Sequence, residues 1–296
     1  MSDQKRRALL VTLFTSDRLP PVPAVAMRVY QLAEAPDCDP AELAALLSAD
    51  PALCAGLLRA ANSCVYGLAR PVSSVTRAVQ VLGRRAVRAL ALSLSAPGPR
   101  GRDPGARDYW LTSIGGALIA RELAIAGDRP APDEDMAAAL LRDVGAELLR
   151  RTFPAKWTGL QGRSGAHSQV ANSAAEKAVF GADHADIGAE LLGQWGLSAD
   201  MTEPIRHHHH ANRLPAGPLG DRADLLWLSD SLMRLDVLTD HPELMGPVLE
   251  AAQRDHGLDV PALSAFLTAI APKVEAFAQA LDVGMVECPD LAVAIA

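Results

Sequence analysis

The chain has 296 residues, which is enough for one large domain or for two smaller lobes that each bury a core. Hydrophobic residues make up 49% of it and aromatic residues only 4%, so alanine and leucine dominate the apolar content, which favours closely packed helices. The formal net charge of −7 argues against a protein that binds nucleic acid over its whole surface, while a local basic patch stays open.

The cysteines and the first residues favour a cytoplasmic protein. No two of the four cysteines form a CxxC pair, and the opening MSDQKRRALL lacks the features of a secretory signal, so we interpret them as free thiols in a reducing compartment. No continuous apolar run reaches the roughly 18 residues that a membrane-spanning helix needs. We therefore expect a soluble cytoplasmic protein with no membrane partner.

Helical periodicity runs through almost the whole chain, and no segment shows the strict alternation of a strand. Near the N-terminus, Pro23, Pro40 and Pro51 each occupy a position typical of a first helical turn, and aspartates precede the last two. A later helix begins at Ser74 and is interrupted at Gly83. These features predict a series of short helices with well-defined starts.

The middle of the chain contains the clearest break in periodicity. The segment APGPRGRDPGAR, residues 96–107, is rich in proline, glycine and charge, which predicts a linker between two lobes, with a second helical set from Asp108. A weakly periodic polar stretch from Gly159 to Ser173 predicts a loop, and Asp183 is placed to cap the next helix. The stretch from Leu263 to Leu281 is the most regular amphipathic helix.

Three segments of the first hundred residues form a specific pattern: LPPVPAVAMRV, SADPALCAGLLRAANSCVYG and RPVSSVTRAVQVLG. Together they closely resemble the N-terminal half of the HDOD domain, a helical signalling module of bacteria that is built on the HD-phosphohydrolase fold. The resemblance continues in FGADHADIGAELLGQW and covers about residues 19–212. It implies an all-α, two-lobed architecture: an N-terminal helical lobe (1–96), a linker (97–107), an HD-like lobe (108–240) and C-terminal helices packed on that lobe (241–296).

The same resemblance locates the positions of a metal site. HD phosphohydrolases bind one or two divalent metals through histidine and aspartate side chains, and the metals activate a water and hold the phosphate. By similarity these positions are Thr112, the pair Arg142 and Asp143, then His184, His208 and His209, and finally Asp230.

Two of these positions have lost the expected histidine, at Thr112 and Arg142. A guanidinium is a permanent cation, so Arg142 would repel a divalent metal and could instead neutralise Asp143 and Asp230. We therefore predict an ion-pair site in place of a metal site, with no metal, no cofactor and no catalysis.

The remaining histidines have ordinary explanations beside a ligand role. His184, in the first turn of its helix, could equally bond a loop carbonyl. Of the run His207–His210, at most two side chains can face inward on a helix, and such a run can capture nickel or zinc in vitro without biological meaning.

Three closely spaced arginines, Arg84, Arg85 and Arg88, contrast with the negative net charge of the chain. A solvated helix face is the ordinary explanation of such a run, and the functional interpretation is a binding surface for a phosphate-bearing ligand or an acidic partner. We predict a non-catalytic signal-transduction module that binds a signalling protein, or a nucleotide, through this cluster. Two alternatives stay open: a residual metal-dependent phosphohydrolase acting on a nucleotide or cyclic dinucleotide, and a nucleic-acid-associated regulator.

Overall fold

The structure is a computed structural model that describes residues 2–15, 24–35, 37–95, 104–161, 169–210, 214–235 and 242–281. In these ranges all regular secondary structure is helical, which confirms the predicted all-α fold. The first helices are α1 (Ser2–Thr15), α2 (Ala24–Glu34), α3 (Pro40–Ser48), α4 (Pro51–Ala61), a 3-10 turn (Cys64–Tyr66) and α5 (Val75–Ser95). The next are α6 (Pro104–Ala126), α7 (Pro132–Leu141), α8 (Val144–Thr152), α9 (Pro154–Gln161) and α10 (Gln169–Phe180). The last are α11 (His184–Gln194), α12 (Ala199–His207), α13 (Pro218–Leu232), α14 (Pro242–His256) and α15 (Val260–Ala280).

Several helices start where the sequence predicted. Pro40 and Pro51 lie in the first turns of α3 and α4, and the preceding Asp39 and Asp50 accept hydrogen bonds from first-turn amides. Asp183 caps α11 in the same way. Each carboxylate satisfies a backbone donor that the helix itself leaves without a partner, and this fixes the helix start.

The N-terminal lobe is built around α5. This helix packs against α2, α3 and α4, and it also contacts α7 of the HD-like lobe. Gly83 interrupts α5 with a φ of 75°, at the predicted position. Helix α5 is therefore both the centre of one lobe and its connection to the other.

The HD-like lobe is a bundle in which α6 packs against α7 and α13, and α11 packs against α8 and α12. The α8–α11 contact is very close, because a Cβ on Gly145 would lie 2.1 Å from the His184 carbonyl oxygen. Only glycine allows this approach. The close contact brings the start of α8 next to the start of α11.

Two predicted boundaries are wrong where the structure describes them. Helix α6 begins at Pro104, inside the predicted linker, because proline fits the first turn of a helix. The predicted loop from Gly159 to Ser173 is helical at both ends, since α9 reaches Gln161 and α10 begins at Gln169. Polar residues can form a helix here because the hydrogen bonds of a helix join backbone groups and do not require an apolar face. Residues 96–103 and 162–168, and the predicted lobe boundaries at 96 and 240, lie outside the described residues.

The first and last described helices make contacts that cross the predicted division into lobes. Helix α1 contacts α10, with Leu9 and Leu13 buried. Helix α15 contacts α6, but also α4 and the 3-10 turn of the N-terminal lobe. Buried apolar residues from both lobes accordingly form one connected core.

Helix α15 is also the one helix of the described residues that is long and apolar enough to cross a membrane by length and composition. Its average hydropathy passes this test although Lys273 and Glu275 interrupt the apolar run. Leu267, Val274 and Phe277 of α15 are buried in the core.

Candidate functional site

The structure brings the seven predicted positions together inside the HD-like lobe. Six side chains of this group are buried: Arg142, Asp143, His184, His208, His209 and Asp230. They come from the α7–α8 turn, the start of α11, the end of α12 and the last turn of α13. The seventh position, Thr112, contributes its backbone carbonyl rather than its side chain, as described next.

Arg142 lies at the centre of one part of the site with none of its side chain exposed. Its Nη2 is 2.5 Å from Oδ1 of Asp230, and its Nε is 3.2 Å from Oδ2 of Asp143. The guanidinium also donates to the carbonyls of Thr112, at 3.0 Å, and Ala139, at 3.3 Å. The pairing that the sequence predicted for Arg142 is therefore present. We call Arg142, Asp143 and Asp230 the arginine half.

Space for the guanidinium is made by α6. A Cβ on Gly116 would lie 2.3 Å from Nη1 of Arg142, so a larger residue at this position would displace the arginine. The Thr112 hydroxyl donates to the Tyr109 carbonyl at 3.2 Å. Its position is therefore filled by a backbone acceptor for Arg142, not by a metal ligand.

The three buried histidines form the other part of the site. Nε2 of His209 lies 2.8 Å from Nε2 of His184, and the ligand nitrogens of His184, His208 and His209 all lie within 4.8 Å of one another. Oδ1 of Asp143 is 3.4 Å from Nε2 of His184 and 3.8 Å from Nε2 of His208. We call these three histidines with Asp143 the histidine half. Asp143 belongs to both halves.

A carboxylate that the sequence did not predict holds His184 in place. Oε2 of Glu176 lies 2.8 Å from Nδ1 of His184 and accepts the His184 backbone amide at 2.7 Å. This arrangement fixes the ring so that Nε2 points at Asp143 and His209. The signal that could have found Glu176 is its position one helical turn before the buried Phe180, on the apolar face of α10.

Burial and charge set opposite protonation states within the histidine half. Burial alone would lower the pKa of His184, but Glu176 and Asp143 outweigh it and raise this pKa well above its ordinary value. Burial, together with His208 and His184, lowers the pKa of His209 well below its ordinary value. A charged His184 therefore donates from Nε2 to a neutral His209.

Asp143 carries a negative charge for a related reason. Burial would raise its pKa, but the Arg142 guanidinium and the hydrogen bond from His184 hold it well below its ordinary value. Its Oδ2 is buried with no hydrogen-bond partner among the described residues, and so is Oδ2 of Asp230. The two halves thus share a carboxylate that is ionised at neutral pH.

The two halves differ in whether a metal fits. In the arginine half the guanidinium already occupies the space between the two carboxylates, and its charge excludes a cation. In the histidine half, Nδ1 of His208 donates to the Ile205 carbonyl at 2.7 Å, so its Nε2 presents a lone pair toward Asp143. That Nε2 is buried without a hydrogen-bond partner among the described residues. Three imidazoles and a carboxylate are donors that suit a transition metal such as zinc.

The two members of the histidine run that the resemblance placed in the site are the two that face inward. His208 and His209 are buried beside His184, whereas His207 and His210 are partly exposed. The limit of two inward-facing side chains is therefore met. The expectation that the site holds no metal stays a prediction, and the histidine half is where it is tested.

The predicted arginine cluster lies at the junction of the lobes. Arg84 is exposed and donates to the Ala35 carbonyl, whereas Arg85 pairs with Glu134 at 3.2 Å. A solvated helix face and a binding surface both require exposed arginines, and this expectation is wrong for Arg88. The Arg88 side chain is buried between Glu34, at 3.4 Å, and Glu134, at 3.0 Å. Packing of α2 and α7 around α5 supplies these carboxylates. The binding role of the cluster stays a prediction.

Comparison with known proteins identifies the family. Residues 19–211, well over half of the chain, match the model of the HDOD domain.

The chain belongs to the HDOD domain family.

Solved structures support this membership. A crystal structure of an HDOD domain protein with unknown function from Geobacter sulfurreducens is 25% identical, with a TM-score of 0.70 over 93% of this chain and 99% of that one. A "putative signal transduction protein" from Marinobacter aquaeolei VT8 is 24% identical, with a TM-score of 0.69 over 95% of this chain and 65% of that one.

A "putative phosphohydrolase" from Shewanella amazonensis SB2B is 22% identical, with a TM-score of 0.64 over 98% of both chains. This likeness and that to the Marinobacter protein concern the HDOD fold alone. No curated protein matches the chain.

Proposed function

We propose that this HDOD domain is a non-catalytic signalling module that acts by binding a partner. The observation that carries the proposal is Arg142, fully buried between Asp143 and Asp230 in the place where an HD phosphohydrolase holds a metal. A guanidinium is a permanent cation, and here it pairs with both carboxylates. It cannot lower the pKa of a bound water as a metal does, so it supplies no nucleophile.

The geometry also explains why Arg142 would persist without a catalytic role. It hydrogen-bonds Asp230 and two backbone carbonyls and forms an ion pair with Asp143, so its removal would leave several buried polar groups without a partner. The site thereby serves the stability of the HD-like lobe. The function then depends on surfaces of the domain, and we place the binding of a signalling protein or a nucleotide at the lobe junction, near Arg84, Arg85 and Arg88.

Absence of turnover is the direct test of this proposal. Protein purified without a nickel column should release no product from nucleotides or cyclic dinucleotides above background, with manganese, iron or magnesium added. The Asp143→Ala variant provides the matched control, because both halves of the site depend on this carboxylate. Turnover by the unmodified protein that disappears in Asp143→Ala would overturn the proposal.

The histidine half favours a second candidate, a residual metal-dependent phosphohydrolase. His184, His208, His209 and Asp143 would hold a single metal, and a bound metal would supply an activated water. The two candidates differ in one respect: the first allows metal in the histidine half but no turnover, whereas the second requires both. The structure adds no support for a nucleic-acid-associated regulator, since Arg88 is buried and ion-paired.

A further inference from the structure

A polar cavity of about 260 Å³ lies between the two lobes, apart from the arginine and histidine halves. The N-terminal lobe contributes Arg84, Arg85 and Arg88 from α5 and Glu34 from α2, and the HD-like lobe contributes Glu134 and Arg222. Four of the side chains that line it are therefore arginines, contributed by both lobes. The sequence did not point to Arg222, which is 138 positions from Arg84 and joins the cluster only through the fold.

The arginines converge on a single carboxylate. Glu134 lies 3.2 Å from Nε of Arg85, 3.0 Å from Nη2 of Arg88 and 3.3 Å from Nη2 of Arg222. Arg88 and Arg222 are mostly buried, with 11% and 13% of their side chains exposed, and form the inner part of the cavity. Three guanidinium groups aimed at one point form an arrangement that suits an oxyanion with several acceptor oxygens.

Not all of this positive charge is neutralised within the protein. Arg222 also pairs with Asp135 at 2.7 Å, and Arg88 with Glu34 at 3.4 Å. Arg84 donates to the Ala35 carbonyl, and no carboxylate of the described residues pairs with it. Asp200 also lines the cavity but forms no ion pair with Arg84, so Arg84 is the one lining arginine of the described residues without a carboxylate partner, in a chain whose net charge is −7.

We propose that this cavity binds a small phosphate-bearing anion, with Arg84 as its principal charge partner and Arg85 and Arg222 as contacts from the two lobes. The planar guanidinium matches phosphate oxygens in pairs, and Arg84 and Arg85 remain exposed enough to be reached. The small volume favours a compact organic phosphate and excludes a folded protein or a duplex. The inference rests on the proposed function, because it names the ligand class of a module that binds without hydrolysis.

Such a ligand would touch both lobes at once. It would compete with Glu134 for Arg85 and Arg88, whose ion pairs with Glu134 cross the junction, and so would bind one arrangement of the lobes better than another. This gives a small anion a physical means to alter the surface that a partner protein meets.

Calorimetric titration of the full chain, in buffer free of phosphate and sulfate, tests the inference. The probes are pyrophosphate, AMP and GMP, with adenosine as the probe that lacks the phosphate. We expect at least one phosphate probe to bind and adenosine not to bind. Arg84→Gln should weaken binding by at least about tenfold, since it removes a charge-assisted contact. Arg28→Gln is the matched control, because Arg28 is an exposed arginine of the same lobe that does not line the cavity.

Three results would overturn the inference: no phosphate probe binds at millimolar concentration, adenosine binds as tightly as AMP, or Arg84→Gln binds as tightly as Arg28→Gln. Arg222→Gln provides a second variant from the other lobe, with its fold checked by circular dichroism, and should also weaken binding. Phosphate release from AMP, measured on the same samples, keeps the two proposals separate. Release that needs Asp143 would refute the non-catalytic function alone, and absence of both binding and release would refute the cavity ligand alone.

Discussion

The arginine half and the histidine half share Asp143, yet they use it in opposite ways. In the arginine half a fixed cation lies between two carboxylates and occupies the space between them. In the histidine half the nitrogen donors stay together, with Glu176 holding His184 from behind. The difference shows that two neighbouring parts of one buried polar site can be stabilised in different ways, one by a fixed cation and one by grouped nitrogen donors, around a shared carboxylate.

The largest expected effect comes from breaking the arginine half. Arg142→Ala should lower the free energy of unfolding by about 3–5 kcal/mol, because it removes the fully buried cation that pairs with Asp143 and Asp230. Arg234, which is partly exposed and lies 3.5 Å from Asp230, compensates only in part. Urea denaturation measures this change. Arg254→Ala is the control, because its ion pair is exposed and should change stability by no more than about 1 kcal/mol. Equal midpoints for the two variants would contradict the ion-pair interpretation.

The histidine half should respond less to loss of its supporting carboxylate. Glu176→Gln keeps the size of the side chain but replaces the charge opposite His184, and we expect a loss of about 1–3 kcal/mol in the same assay. The smaller effect follows because His184 can become neutral, whereas Arg142 cannot. A loss as large as that of Arg142→Ala would show that the two halves depend equally on charge.

These two residues also show what the sequence could and could not predict. The pairing of Arg142 was predictable, because the HDOD resemblance implied that Asp143 and Asp230 lie beside it, and a permanent cation there needs carboxylates. Glu176 was not predicted, since its partner is on another helix and no motif links them. Burial of His208 depends on how the end of α12 packs, and burial of Arg88 depends on Glu134, 46 positions away. Local patterns thus predicted the helices and the family, whereas contacts between distant helices required the fold.

Metal binding should separate the two halves directly. In protein purified without nickel, the prediction from the sequence is that the histidine half takes up no zinc. If zinc does bind there, His208→Gln should weaken that binding by about tenfold or more through loss of one nitrogen ligand. Asp230→Asn should leave the zinc affinity unchanged, because Asp230 belongs to the arginine half. A competition titration with a chromogenic chelator provides the measurement. Equal weakening by both variants would mean that the halves form one site.

The smallest expected effect compares two arginines one helical turn apart on α5. Arg88 resembles Arg142 in being buried between carboxylates, although Glu34 is half exposed, so we expect Arg88→Ala to cost only about 1 kcal/mol. Arg84 has an exposed guanidinium, and Arg84→Ala should stay within about 0.5 kcal/mol of the unmodified protein. Thermal and urea denaturation of both variants measure the difference. If Arg84→Ala destabilised the fold more than Arg88→Ala, Arg84 would be a structural residue. The cation that contacts a ligand would then have to be a different residue.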